Sequence, residues 1–125
     1  MNRIIADKLP TSTGPFVHAT VANGLVFVSG QQGVDPVSGA VAEDVGTQTR
    51  ATLSNLEIAL KAAGSGLDGV LKTTVYLTDM DKFGEMNTVY ANVFGDNAPA
   101  RTAVAVSALP GGVAVEIEAI AEVSG

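Results

Sequence analysis

The segment Val113–Ala121 reads V-A-V-E-I-E-A-I-A, and its alternation constrains the fold more than any other stretch. Successive side chains of a strand point to opposite faces. Val113, Val115, Ile117 and Ala119 therefore share one face, and Ala114, Glu116, Glu118 and Ile120 share the other. The first face needs a packed layer, and the second must accommodate two carboxylates. In the preceding segment, Thr102–Ala108, Val104 and Val106 share a face, and Arg101, Ala103 and Ala105 share the other. Leu109-Pro110-Gly111-Gly112 between the two segments reads as a short hairpin loop. If a tight hairpin keeps the apolar faces together, Arg101 lands on the glutamate face. A sheet face of small residues with a few charges suits an interface between subunits.

Turn signals divide the rest of the chain evenly. Gly14-Pro15 precedes a strand over Phe16–Val21, and Asn23-Gly24 is a two-residue hairpin turn leading into Leu25–Ser29. Asp35-Pro36-Val37-Ser38-Gly39 is a further turn. Leu53, Leu56, Leu60 and Ala63 then fall on one helical face, with Glu57 and Lys61 as an i,i+4 pair and Gly64 as C-cap. Val70–Thr78 is rich in β-branched residues and reads as a strand. Thr78 or Asp79 caps a second helix over Asp81–Phe94, whose Phe83, Met86, Val89, Tyr90, Val93 and Phe94 follow a 3–4 spacing. Gly95 ends it. The order β-β-α-β-α-β-β predicts an α+β fold, with two helices on one face of a mostly antiparallel sheet.

A length of 125 residues fits a single domain, 1–125. The absence of Cys excludes disulfides, thiolate nucleophiles and Cys-bound metals. The first residues lack the apolar stretch of a signal peptide, and no apolar run approaches ~18 residues. The expectation is a cytoplasmic protein with no membrane partner. Seven Lys and Arg against 13 Asp and Glu give a net charge of −6 with no basic stripe. Nucleic-acid binding needs the opposite balance. Charged residues make up only 16% of the chain, against about 25% in typical soluble proteins. Mean hydropathy is +0.31. So few charges predict that part of the surface is buried against copies of the same chain.

Several residues are candidates for chemistry. Gly64–Gly69 matches G-x-G-x-x-G, but it follows a helix and opens a strand, the reverse of a dinucleotide site. It reads as a helix stop and turn. His18, the only histidine, is either structural or a proton carrier. Asp79, Asp81 and Glu85 lie at a helix start, where capping is favoured over metal binding. No metal site is expected. Arg101 follows the stiff Pro99-Ala100, where it can clamp a carboxylate bidentately or pair with a glutamate of the chain. Glu116 and Glu118 are two acids in an apolar strand. One can pair across an interface while the other serves as general acid or base, or both can be solvated at an edge.

These segments resemble the RidA/YjgF family of reactive intermediate deaminases over essentially the whole length. The resemblance is carried by Gly14-Pro15-Phe16, Val28-Ser29-Gly30-Gln31, Asp35-Pro36 with Gly39, and Leu53-Ser54-Asn55-Leu56. It continues through Val70–Leu77, Met86–Tyr90, Pro99-Ala100-Arg101, Leu109-Pro110 and Val115–Ala119. It implies a chorismate-mutase-like fold and a homotrimer with three sites in the clefts between subunits. The implied reaction is cofactor-free hydrolysis of enamine and imine acids, of the 2-aminoacrylate and 2-iminobutanoate type, to 2-oxo acids and ammonia.

By the same resemblance, Arg101 pairs with the substrate carboxylate and Glu116 orients or activates water. The backbone N–H of Ala103 helps hold the carboxylate, and Ser29, Gly30 and Asn87 lie around the pocket. Phe16 stands where many members have Tyr, and Ala103 where many have Cys, so neither a phenol nor a thiol acts at these positions. The rival reading is a non-catalytic or regulatory trimer that binds small carboxylates. A ribonuclease reading, attached to some relatives, is opposed by the charge of −6.

Overall fold

The computed structural model describes residues 1–124. Six strands form one sheet: β1 (Asn2–Ile4), β2 (Ala19–Ala22), β3 (Leu25–Gln32), β4 (Val70–Leu77), β5 (Ala100–Ala105) and β6 (Val115–Glu122). The spatial order is β1-β2-β3-β6-β4-β5. Every neighbouring pair is antiparallel except β4 and β5, which run parallel. Helices α1 (Val45–Ala62) and α2 (Phe83–Phe94) pack on the sheet face that carries Val75, Val115 and Ile117. This is the α+β arrangement that the alternation and the helical periods predict.

Helix α1 is held at both ends. The Asp44 side chain accepts from the Thr47 N–H at 2.9 Å, and Glu85 of α2 accepts from the Gly46 N–H at 2.7 Å. Both bonds satisfy donors that a helix start leaves free. Ala63 caps the other end, and Gly64 follows it with φ +86°. Leu53, Leu56 and Leu60 face the sheet and are completely buried. Each contributes about 1.5–3 kcal/mol by leaving water. The first two turns bury Gln48, Thr49 and Thr52 instead, with the threonine hydroxyls donating to the carbonyls of Val45 and Gln48.

The Asn23-Gly24 turn joins β2 and β3 with both residues at positive φ, 53° and 77°, the conformation this pair supplies. The Asp35 carboxylate accepts from the N–H groups of Val37 and Ser38 in the next turn. Gly64–Gly69 is the stop after α1 and a single 3-10 turn before β4. Asp79 caps a 3-10 turn, Met80–Lys82, so the regular helix begins at Phe83 rather than Asp81.

Three expectations are corrected. Strand β2 begins at Ala19, because 16–18 form a connection whose His18 N–H donates to Ile4 and so brings in β1, which was not foreseen. Strands β5 and β6 do not form a hairpin: β4 lies between them and pairs with both. Consequently Arg101 and Ala103 sit opposite Thr73 and Val75 on the helix-covered face, and Val104 lies on the outer face, 38% exposed. Glu116 is opposite Tyr76 and Gln32 on that outer face. Arg101 is therefore not on the glutamate face.

Candidate functional site

Strand β5 is an edge strand, and its first turn of sequence carries the guanidinium. Arg101 is half-buried against α2, where one guanidinium N–H donates to Asn87 Oδ1 at 2.8 Å. Its guanidinium carbon lies 4.7 Å from the centre of the Tyr90 ring and 5.4 Å from that of Phe83. Cation–π contacts at these distances orient the group without neutralising it. The Tyr90 hydroxyl is in turn tied to Thr73 Oγ1 at 2.6 Å, in the buried core. Burial pushes the Tyr90 hydroxyl above its ordinary value, opposed by the Thr73 bond and the Arg101 charge.

Among the described residues, the single ion pair within 4 Å is Glu57–Lys61. Arg101 is thus not the partner of a glutamate of its own chain, and its remaining N–H groups are available to an incoming carboxylate. The backbone beside it is suitable. The Val106 N–H donates inward to Leu77 at 2.7 Å. Alternation along β5 then turns the N–H groups of Arg101, Ala103 and Ala105 toward the free edge.

The other candidates gather on the far side of the sheet. Phe16, His18, Ser29, Gly30, Gln32 and Glu116 line a cleft of about 580 Å³ under the connection 9–13. Ser29 donates its hydroxyl to the Val17 carbonyl at 2.7 Å, which fixes the loop that carries Phe16. Phe16 is 51% exposed, a large apolar ring facing out of the protomer. Gly30 lies at an irregularity of β3, directly beneath the Glu116 side chain. A Cβ there would sit 2.9 Å from the Glu116 carboxyl carbon, so only glycine leaves the carboxylate its place.

His18 is a structural residue. It is buried, its Nδ1 accepts from the Ala6 N–H at 2.9 Å, and its Nε2 lies 3.0 Å from the Pro10 carbonyl. With Nδ1 accepting, Nε2–H is the donor, and both nitrogens are committed to the N-terminal segment. Two of the acids at 79–85 cap helix starts: Asp79 accepts from Asp81 N–H, and Glu85 from Gly46 N–H. Glu118 accepts from the Tyr76 hydroxyl at 3.1 Å on the outer face.

The site residues named from the sequence therefore fall into two groups. Arg101, Asn87 and Ala103 lie at the β5 edge, on the helix side. Phe16, Ser29, Gly30 and Glu116 lie around the cleft, across the sheet. Sequence reasoning missed Tyr90 and Phe83 beneath the guanidinium, because their spacing also fits an ordinary apolar helix face. It missed Gln32 as well, whose side chain bonds Glu116. The signal was a polar residue facing outward on the last position of β3.

Comparison with known proteins identifies the family. The family model described as Endoribonuclease L-PSP matches residues 6–123. A RutC family protein of Pyrococcus horikoshii is 46% identical over 94% of each chain. The 2-iminobutanoate/2-iminopropanoate deaminase of mouse is 44% identical, covering 94% of this chain and 88% of its own. The crystal structure of the YjgF gene product of E. coli superposes with a TM-score of 0.93 at 35% identity, over 98% of both chains. The chain belongs to the YjgF/RidA family, some of whose members carry the name of imine deaminases.

Proposed function

We propose that the protein is a cofactor-independent hydrolase of 2-imino acids, working as a homotrimer with its sites between subunits. The observation that carries this reading is the state of Arg101. A guanidinium stacked on Tyr90, braced by the neutral Asn87 and lacking a carboxylate partner is arranged to receive one. The free-edge N–H of Ala103 adds a second donor to the same oxygen pair. Small 2-imino acids bring that carboxylate together with an electrophilic C=N carbon next to it.

Arg101 and Glu116 lie on opposite faces of the protomer, so a single chain does not surround one small substrate with both. A second copy resolves this. The β5 edge of one subunit meets the Phe16 and Glu116 side of its neighbour. The outer sheet face supports such an assembly: Phe27 and Val104 are 44% and 38% exposed there, and the half-buried Ile120 is opposite Phe27. The low proportion of charged residues agrees with it.

The chemistry follows from these groups. Arg101 and the Ala103 N–H hold the carboxylate, and Glu116 takes a proton from a water as its oxygen attacks the C=N carbon. Glu116 passes that proton to the imine nitrogen, giving a carbinolamine. The carbinolamine hydroxyl then gives its remaining proton through Glu116 to the amino nitrogen as the C–N bond breaks, and ammonia leaves the 2-oxo acid. Positioning and proton transfer suffice for an already electrophilic carbon. The chain's charge of −6 opposes the RNA-cleaving activity named in the family description.

The test is 2-oxo acid release from freshly generated 2-aminoacrylate, with wild type beside Arg101→Ala. Acceleration by wild type and its loss in the variant are expected. Binding of 2-oxobutanoate by wild type without any turnover would replace this reading with a carboxylate-binding, regulatory trimer.

A further inference from the structure

Gln32 and Glu116 are directly opposite each other in the β3–β6 ladder, with both side chains on the outer face. Gln32 Nε2 lies 2.8 Å from Glu116 Oε1 and 2.8 Å from the Pro110 carbonyl. A primary amide has two N–H groups, and both are used. The end of β3 is itself fixed: the Asn55 amide of α1 donates to the Gln32 carbonyl at 2.9 Å and to Val34 at 2.8 Å. Behind the carboxylate, Gly30 leaves the space that Glu116 Oε2 occupies. The two oxygens of Glu116 are therefore unequal. Oε1 is committed to an amide donor, whereas Oε2 lies over Gly30, a residue of the cleft lining, with no hydrogen-bond partner among the described residues.

We infer that Gln32 is the positioning residue of the water-activating carboxylate. It occupies Oε1, presents Oε2 to the cleft, and ties that orientation to the turn at Pro110. An unprotonated oxygen is the better acceptor of an amide N–H, so with Oε1 held by Gln32 the proton removed from water goes to Oε2. Gln32 touches neither the water nor the imine in this arrangement and acts only through Glu116. The inference rests on the role proposed above for Glu116, and its experiment has an arm that does not.

Gln32→Met keeps the length of the side chain and removes both donors. In its crystal structure, the Glu116 carboxylate is expected to leave its place over Gly30 or to occupy several rotamers. Unchanged density there overturns the inference whatever the enzyme does. In the assay with 2-aminoacrylate, kcat is expected to fall about tenfold, the effect of one lost orienting bond, while KM stays near the wild-type value because Arg101 is held by Asn87 and Tyr90 and not by Gln32.

The double variant Gln32→Met/Glu116→Gln is expected to be no slower than Glu116→Gln alone, since a residue that acts through Glu116 has nothing further to lose. Additive losses, or a Gln32→Met kcat equal to wild type, overturn the inference while leaving the deaminase reading intact. Absence of turnover by wild type itself removes that reading, and the positioning of Glu116 is then decided by the crystal structures. Equal thermal unfolding of wild type and Gln32→Met establishes that folding is not the cause.

Discussion

Arg101 and Glu116 stand on opposite faces of one sheet: Arg101 is opposite Thr73, and Glu116 is opposite Tyr76, three residues further along β4. An odd separation on a strand reverses the face. The side chains therefore diverge within one chain, and the proposed function takes Arg101 from one copy and Glu116 from another. This gives a genetic test. Arg101→Ala and Glu116→Gln are each expected to be strongly impaired alone, with a small residual rate. Co-expressed in equal amounts, they assemble some clefts that combine the intact Arg101 of one chain with the intact Glu116 of the other. Random assembly restores about a quarter of the clefts in a closed ring. No recovery in a mixed oligomer would mean that each chain supplies both groups itself, against the face assignment.

Gly30→Ala separates the carboxylate's position from the stability of the fold. Gly30 does not have a positive φ, so alanine meets no backbone strain there. The three atoms nearest to its methyl all belong to the Glu116 side chain, whose flexible end can swing away. The expected outcome is a thermal midpoint within a few degrees of wild type, since the nearest atoms the methyl meets belong to a movable side chain rather than to backbone. Turnover of 2-aminoacrylate is expected to fall at least about tenfold, because the displaced carboxylate no longer faces the water. Full activity in a folded Gly30→Ala would show that this place of Glu116 is not the one catalysis uses.

The parts of the fold written in local sequence were legible. The leucine stripe of α1, the Asn-Gly turn and the alternation of β6 each depend on residues close in the chain. The start of α1 was not, since Gln48, Thr49 and Thr52 are buried polar residues that interrupt the apolar period. Strand β1 has three residues with Arg3 in the middle, and no pattern marks it.

The hairpin expectation at 109–112 failed for a nonlocal reason. Strand β6 buries Val115, Ile117, Ala119 and Ala121, and it takes the central place between β3 and β4. Strand β5, mostly exposed, is left at the edge and pairs in parallel across the α2 crossover. Which strand takes the centre is a competition over the whole sheet, and the face of Arg101 depends on its result. The identity of Arg101 and Glu116 as candidates could be read from the chain. That they diverge, and that Gln32 and Tyr90 support them, could not.

Tyr90 links the stability of the core to the Arg101 site, and its hydroxyl gives a dependence on pH. Burial raises it above the ordinary 10.0 of a phenol in the folded protein. The unfolded chain therefore loses this proton first. Stability from the group is complete below about pH 10 and declines as the pH rises through the folded value. Tyr90→Phe removes the titration and leaves the buried Thr73 hydroxyl without its partner. At pH 8 the variant is expected to be less stable by about 1–3 kcal/mol in denaturant unfolding. Between pH 9.5 and about 11 its stability should fall less steeply than that of wild type. Some slope remains, because the Tyr76 hydroxyl is also raised, by desolvation and then by its bond to Glu118. An identical alkaline slope in both proteins would show that Tyr90 is not the buried titrating group. The same variant keeps an aromatic ring under Arg101, so its KM for 2-aminoacrylate is expected to stay within about threefold of wild type.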